Sequence, residues 1–486
     1  MIVQHGEESF SISCVGASHL PKNVPCQDYS LCYESEDKKI KLIVVCDGHG
    51  SPTYIRSQDG SKFAAEITKK CILEFVKKQS PELFLNRYGG VTACPEEQDR
   101  LWMVPPDNKE LTEFDIQKEE QAEIYKSQIK GNEKQEIVLR ALFRNIFFKW
   151  HNAIVQDSVN RPFSEKEKAA LGKNEIEKAY GTTLQAYVQT PFYWLAFHIG
   201  DGRLLGADDF LNWKPLVPWD CNCFQNLTTS LCNHNPIESF RYAFDGTGDY
   251  FPTVVFSCSD GIEDSYGDYD VAPEKLHNFY SKLIILLRNQ GMESFLSETQ
   301  NFLPRLSEAG SKDDMSLAGV VDLEKLDNAI QSYQYRVRKN DMEKHHQERE
   351  EKELEEKRKF DKVNEEISLL QNEIDEAKKS EENLRDSIKN LFKNKNAIKK
   401  KIKEKEEKKD TLTINLNNQS LVVKSIQREN KVEDENEENE KKKIEKKENE
   451  VADSVKQKND QRKKRWKENA LKCGYRISDE KAIGNL

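Results

Sequence analysis

Beyond Pro304 this 486-residue chain contains no proline, and between Gly319 and Gly474 it contains no glycine. Those residues are the main interrupters of local structure, so nothing in that length forbids a long helix. The chain also lacks any run of 18 apolar residues, and no membrane-spanning helix is expected. Its start, "MIVQHGEESF", has no basic segment followed by an apolar core, so a secretory leader is not expected either. There are 11 cysteines, an odd number scattered over a long chain, and no compact disulfide framework. A reduced, cytoplasmic setting is the simplest reading. Hydrophobic residues make up only 36% and charged residues 33%, which a single average globular domain would not show. The net charge of −10 argues against a nucleic-acid partner.

The composition breaks near residue 323. Before it, apolar stretches of strand length alternate with helical patterns and turn residues. After it, apolar residues recur at alternating steps of four and three from Val363: Ile367, Leu370, Ile374, Ala377, Leu384, Ile388, Leu391, Ile398, Ile402, Leu412, Leu416, Val423 and Ile426. About nine heptads keep this frame, with polar seam positions at Glu381, Lys395, Lys405, Lys409 and Gln419. The pattern predicts a coiled coil over 324–430. A seam that long needs an apolar partner. Another copy, another protein and a second helix of the same tail could each supply it. Residues 431–462 are poor in apolar positions and read as a solvated helix or as disorder. Pairing between chains is therefore the expectation, by self-association or with a different protein. The final stretch, 431–486, recovers some apolar content at "RWKENALKCGYRI", which reads as a docking segment.

The N-terminal part, 1–323, has a different signature: apolar strands that run into acids. "KIKLIVVCDGHG" reaches Asp47, "YWLAFHIGDGRLLG" reaches Asp201, and "TVVFSCSDGIED" reaches Asp260 with Asp264 four residues on. "GSKDDMSLAGVVDL" places Asp313 and Asp314 just before a strand, and "SHLPKNVPCQDYSLC" supplies Asp28. One Asp-Gly is an ordinary turn. Several carboxylates at strand ends of one domain repel each other and become stable around hard divalent cations. A pair of such ions can lower the pKa of a shared water and aim it at phosphorus.

Taken in order, "CQD", "VVCDGHGS", "AYGTTLQAYV", "HIGDGRLL", "SCSDGIED" and "SKDDMSLAGVV" resemble the metal-dependent serine/threonine protein phosphatases of type 2C, and their divergent bacterial branch most of all. The resemblance covers residues 10 to 322. It implies an α+β fold, a four-layer α-β-β-α sandwich of two antiparallel sheets flanked by helices. It implies hydrolysis of phosphoserine and phosphothreonine on proteins with two Mg²⁺ or Mn²⁺ ions and a weaker third. Asp47 would bridge two ions, Gly48 would offer its carbonyl, and Asp260 and Asp313 would complete the carboxylate set. Asp28 would hold waters around the ions, with Gln27 beside it. Asp201 and Asp264 would hold the third ion. His49 would protonate the leaving alkoxide, a poor leaving group that needs a proton.

Three departures stand out. Where many members carry a phosphate-gripping arginine, this chain has Asn23, which leaves phosphate binding to the metals or to His19, Lys22 or Arg56. The usual asparagine after the last ligand is Asp314. Residues 86–135 look like an insertion. Simpler roles remain open for some residues. His49 could cap its turn or support the metals, Asp28 could cap a turn, and Asp201 sits where a hairpin expects Asp-Gly. The spacing from Cys94 to Arg100 matches a cysteine-phosphatase loop, but its own acids would repel both phosphate and thiolate. Cys221, Cys223, Cys232 and His234 are potential zinc ligands at a tight spacing, with free thiols as the simpler reading. Asn23 and Asp314 also leave room for a pseudophosphatase, or a coiled-coil scaffold whose head binds phosphoprotein with little turnover.

Overall fold

The computed structural model describes residues 2–91, 133–220, 222–223, 228–386 and 392–477. Cys94, Arg100, Cys221 and most of the suspected insertion lie outside them. Two compact units result: Met1–Tyr333 together with Ala452–Leu486, and Gln334–Val451.

The first unit is built on two six-stranded antiparallel sheets. One contains β1 (Ile2–His5), β2 (Ser9–Cys14), β8 (Arg203–Ala207), β9 (Trp213–Pro215), β11 (Val254–Cys258) and β12 (Met315–Val321), in the order β1-β2-β12-β11-β8-β9. The other contains β3 (Tyr29–Glu34), β4 (Lys41–Cys46), β5 (Arg87–Val91), β6 (Leu184–Gln189), β7 (Trp194–Ile199) and β10 (Arg241–Asp245), in the order β3-β4-β6-β7-β10-β5. The continuous apolar run of β4 follows from its place. Every residue of the strand is buried. Ile43 and Val45 point into the core between the sheets, with Leu204, Val255, Ala318 and Val320. Leu42, Val44 and Cys46 point the other way, into a helix-covered core. Alternation is intact in space but invisible in sequence, because both faces are apolar.

Helices cover both outer faces. Over the β4 sheet lie α1 (Ser57–Lys78) and α2 (Glu133–Asn160), whose Phe143 stacks on Phe240 at 4.4 Å. Three short helices, α3 (Glu165–Leu171), α4 (Ile176–Ala179) and α5 (Asp260–Asp264), complete the helical part. Over the β12 sheet lie α6 (Pro273–Gln290) and α7 (Met292–Ala309). Tyr280 meets Phe256 and Phe295 meets Phe10, each with ring centroids 4.9 Å apart. The four layers are those the family resemblance implies.

Two long helices follow, α8 (Leu326–Asp386) and α9 (Phe392–Lys472). Within the second unit they pair antiparallel. Arg349 meets Glu437 at 2.8 Å, Glu353 meets Gln427 at 3.0 Å, Glu366 meets Lys408 at 3.0 Å and Glu373 meets Lys405 at 2.8 Å. The heptad frame identifies the covered face: Leu370, Ile374 and Ile402 are buried. Of the partners open to the seam, the second helix of the same tail is the one seen within this chain. The seam is folded onto itself, and the charged 431–451 stretch is helix that pairs with residues 338–349 of α8. Buried Ile444 and a web of ion pairs sustain that part despite its few apolar residues. No helix among the described residues is long and apolar enough to cross a membrane.

The end of α9 packs in the first unit. Trp466 is buried, its Nε1 donates to the carbonyl of Phe192 at 3.1 Å, and its ring lies against Gly248. A Cβ at Gly248 would stand 2.7 Å from that ring, and φ there is +77°. Asn459 donates to Asp209 at 2.6 Å, Lys463 pairs with Asp249 at 2.6 Å, and Tyr475 meets Phe192 edge-on at 5.2 Å. The "RWKENALKCGYRI" segment is thus a docked one. Trp466→Ala is expected to cost the first unit about 3 kcal/mol by emptying this contact. Urea denaturation of the full chain measures it. An unchanged midpoint would mean that the tail adds nothing to the fold.

Candidate active site

Strand geometry delivers the acids. Asp47 follows the last residue of β4, Asp260 opens α5 just after β11, and Asp201 sits in the β7–β8 turn. Asp313 and Asp314 immediately precede β12, and Asp28 immediately precedes β3. They lie close enough together for the charges of some to raise the carboxyls of others. Burial pushes the Asp28 carboxyl well above the usual range, and Asp314, Asp260 and Asp313 push it further. Burial does the same to Asp47, with Asp260, Asp28 and Asp201 adding to it. Asp47 and Asp260 are near enough to share a hydrogen bond, and burial lifts Asp260 to about 7. Asp264 is raised by burial and by Asp313, and Asp201 by burial and by Asp264.

These acids outnumber the positive charge near them. Arg203 opposes the shift at Asp201, but it is itself committed to Glu263 at 3.0 Å and to the ring of Trp219. One carboxylate oxygen of Asp28, Oδ2, is buried with no hydrogen-bond partner. A crowded, all-oxygen, under-neutralised site with an orphaned carboxylate oxygen fits hard divalent cations. Asp313 and Asp314 also come together with His19, with ligand atoms within 4.8 Å of one another.

The loop after β4 is held tightly. The peptide of Asp47 is clasped by two adjacent threonines: its N–H donates to Thr183 Oγ1 at 3.0 Å, and its carbonyl accepts from Thr183 N and Thr182 Oγ1, both at 2.8 Å. A Cβ on Gly48 would collide with the carbonyl of Gln27, so only glycine lets the Asp28 segment approach this closely. His49 N donates to the carbonyl of Gly181 at 3.1 Å, and its ring stacks obliquely on Tyr54 at 4.7 Å. Its Nε2 lies 2.8 Å from Ser230 Oγ. Burial, helped by the nearby charge of Lys178, lowers the imidazolium to about 4.

The departures acquire physical explanations. Asn23 has left-handed backbone, φ +52°, at the end of a short 3-10 turn. Arg56 is tied to Glu167 at 3.0 Å and Asp157 at 3.4 Å and lies over Phe163, so it is not free to grip phosphate. Asp314 accepts from Gly16 N and Gln27 N, both at 2.6 Å, and meets His19 Nδ1 at 2.9 Å. An asparagine has only one acceptor oxygen and could not make this set. Among the described residues Cys223, Cys232 and His234 form no common metal site. Cys223 contacts Thr228 and Thr229, Cys232 is buried beside Ser230, and His234 is exposed. Thr182, Thr183 and Ser230 had no assigned role in the sequence. The "YGTTL" run was visible, but Ser230 stands 181 residues from His49 with no motif around it.

A sequence model for protein phosphatase 2C matches residues 15–300. The chain belongs to this family. No match among curated proteins was found. Among solved structures, a serine/threonine phosphatase, Stp1, from Staphylococcus aureus is 13% identical, with 66% of this chain and 97% of that one covered and a TM-score of 0.35. A bacterial serine phosphatase is 12% identical, covering 65% of this chain and 97% of that one at a TM-score of 0.35. A C. elegans sex determining protein is 13% identical, covering 67% of each chain at a TM-score of 0.37.

The acid cluster gives the metal-stripped phosphatase fold an unusual pH response. A carboxyl raised in the folded state binds its proton more tightly there than when unfolded. Stability in EDTA should therefore rise as pH falls from 8 through the Asp260 value of about 7 toward the ordinary carboxylate range. Saturating Mn²⁺, about a hundredfold above its Kd, should add roughly 2.7 kcal/mol at pH 8 and less at pH 5.5. Thermal melts with and without metal measure both. A metal-free melting point that climbs with pH, or no response to Mn²⁺, would contradict the cluster's role.

Proposed function

We propose that this protein hydrolyses phosphoserine and phosphothreonine monoesters on proteins, using Mg²⁺ or Mn²⁺. The observation that carries the proposal is the convergence of the buried Asp28, the half-buried Asp47 and Asp260 and the exposed Asp313, an under-neutralised set with His49 two residues beyond Asp47. Asp47, Asp260 and Asp313 would hold two ions, with the Gly48 carbonyl as a further ligand, and Asp201 and Asp264 would hold a weaker third. When bound, the ions supply positive charge that lowers the pKa of a water and polarises the phosphoryl oxygens. Asp28, through its unpartnered Oδ2, would accept a hydrogen bond from a water at the site. Asp314 acts on the backbone, holding the Gln27–Asp28 segment in place through its bonds to Gly16 and Gln27.

His49 supplies the proton for the leaving alkoxide. Its low pKa in the free site means that it waits as neutral imidazole at pH 7. An arriving phosphate dianion adds the negative charge that favours imidazolium, so the acid form is made when substrate is present. The antiparallel arm of α8 and α9 serves targeting or assembly, with phosphoproteins as the substrates. A second reading, a phosphoprotein-binding head with little turnover, has Asn23 in its favour, since no arginine stands at that position.

Two measurements test this. EDTA should abolish hydrolysis of a phosphothreonine peptide, and Mn²⁺ or Mg²⁺ should restore it; Asp47→Asn should lower kcat by at least about a hundredfold with an unchanged circular dichroism spectrum. Full activity in excess EDTA would remove the metal mechanism, and inactivity with bound metal would favour the binding module. His49→Ala should slow alkyl phosphates by about a hundredfold and aryl phosphates with good leaving groups far less. An equal loss on both, with metal affinity reduced, would make His49 a support for the ions instead.

A further inference from the structure

Ser230 lies in the chain between β9 and β10, almost fully buried, with its hydroxyl between His49 and the backbone of Thr182. Its Oγ is 2.8 Å from His49 Nε2 and 2.9 Å from the Thr182 carbonyl oxygen. A serine hydroxyl has one proton to give. If that proton were given to Nε2, two bare oxygens, Ser230 Oγ and Thr182 O, would face each other at 2.9 Å in a buried setting. The proton therefore goes to Thr182 O, and Ser230 Oγ accepts from His49. It also accepts a longer bond, 3.4 Å, from Cys232 N. His49 must then carry hydrogen on Nε2 in both its neutral and its charged form.

We infer that Ser230 is a positioning residue: by holding His49 through Nε2–H it fixes one tautomer and leaves Nδ1 as the nitrogen that exchanges a proton with the substrate. The inference rests on the phosphatase reading above and extends it. In the step itself the Nδ1–H bond of the imidazolium breaks and an O–H bond forms on the departing serine or threonine oxygen. The electron pair of the broken P–O bond stays on that oxygen, and His49 is left as the neutral Nε2–H imidazole. No co-reactant is needed.

The surroundings make Ser230 a firm anchor. Its neighbour Thr229 accepts from Gly200 N at 3.0 Å and donates to Asp220 at 2.7 Å. Asp220 is paired with Arg241 at 2.8 Å, and both are buried. On the other side Leu231 is fully buried, and its N–H donates to Thr182 O at 3.1 Å. Thr182 in turn donates to the Asp47 carbonyl. A closed circuit thus runs from His49 through Ser230 and Thr182 to the peptide of Asp47. The imidazole is clamped by Tyr54 and by Gly181, where an added Cβ would stand 2.7 Å from His49 Cδ2. With the ring plane fixed this way, the hydrogen bond at Nε2 selects which nitrogen keeps its hydrogen.

The test uses the full chain and two readouts. Nitrogen-15 spectra of histidine-labelled, metal-free protein, with the His49 signals identified by their loss in His49→Gln, should show a single Nε2–H tautomer. Ser230→Ala should let the two tautomers mix, and Ser230→Thr should restore the single one. In Mn²⁺, Ser230→Ala should lose kcat on a phosphothreonine peptide about tenfold more than on an aryl phosphate with a good leaving group, with KM little changed. Ser230→Thr should recover it. An Nδ1–H tautomer in the unmodified protein, or one indifferent to Ser230→Ala, overturns the inference. So does an equal loss on both substrates in Ser230→Ala. A protein with the fixed tautomer but no activity in any metal would refute the phosphatase reading and leave the positioning of His49 standing.

Discussion

Mutual repulsion among buried carboxylates is the constraint around which this structure is arranged. Asp28, Asp47, Asp201, Asp260, Asp264, Asp313 and Asp314 influence one another at one site of the sandwich, and burial raises the carboxyls of Asp28, Asp47 and Asp260 most clearly. Such a group would relax apart if its backbone could move. Here it cannot: β4, β11 and β12 are interior strands, each paired on both sides, and their ends fix where the acids sit. The threonine clasp on Asp47 and the three-donor grip on Asp314 do the same for the connecting loops. Stability is spent to hold charge in place, and divalent cations are what such an arrangement suits.

Much of this was legible in the sequence. Strand-length apolar runs ending in Asp47, Asp201 and Asp260 marked both the sheets and the acids, because a strand buried on both faces has to read as a continuous apolar run. The supporting residues were not legible. Ser230 reaches His49 only through the folding of a loop between two distant strands, and a single serine leaves no periodic or spacing signal. Arg56 illustrates the reverse error. As a cation near the motif it looked available to phosphate, yet α2 and α3 supply Asp157 and Glu167 to hold it.

The tail shows what periodicity can and cannot tell. The heptad frame picks out the covered face, with Leu370 and Ile374 buried on one helix and Ile402 on the other. A frame says which face is apolar, but not which helix covers it. The 431–462 stretch reads as too poor in apolar positions to favour folding back, yet its 431–451 part pairs with α8. Its partnership is largely ionic: Arg349 alone reaches Glu433, Asp434 and Glu437, and Lys339 reaches Glu448. Exposed pairs of this kind are weak singly. Here they add to the short seam of Met342, Ile444 and Val451. Trp466, in the last part of α9, is buried within the first unit.

The central claim is that the acids of this sandwich are gathered to hold divalent ions. The most direct measurement is anomalous diffraction at the manganese edge from crystals of the full chain grown with Mn²⁺. The account predicts two strong peaks bounded by Asp47, Asp260 and Asp313, with a weaker third near Asp201 and Asp264. Manganese absent from these carboxylates, or found only at His346, Asp434 and Glu437 on the helical arm, would contradict it.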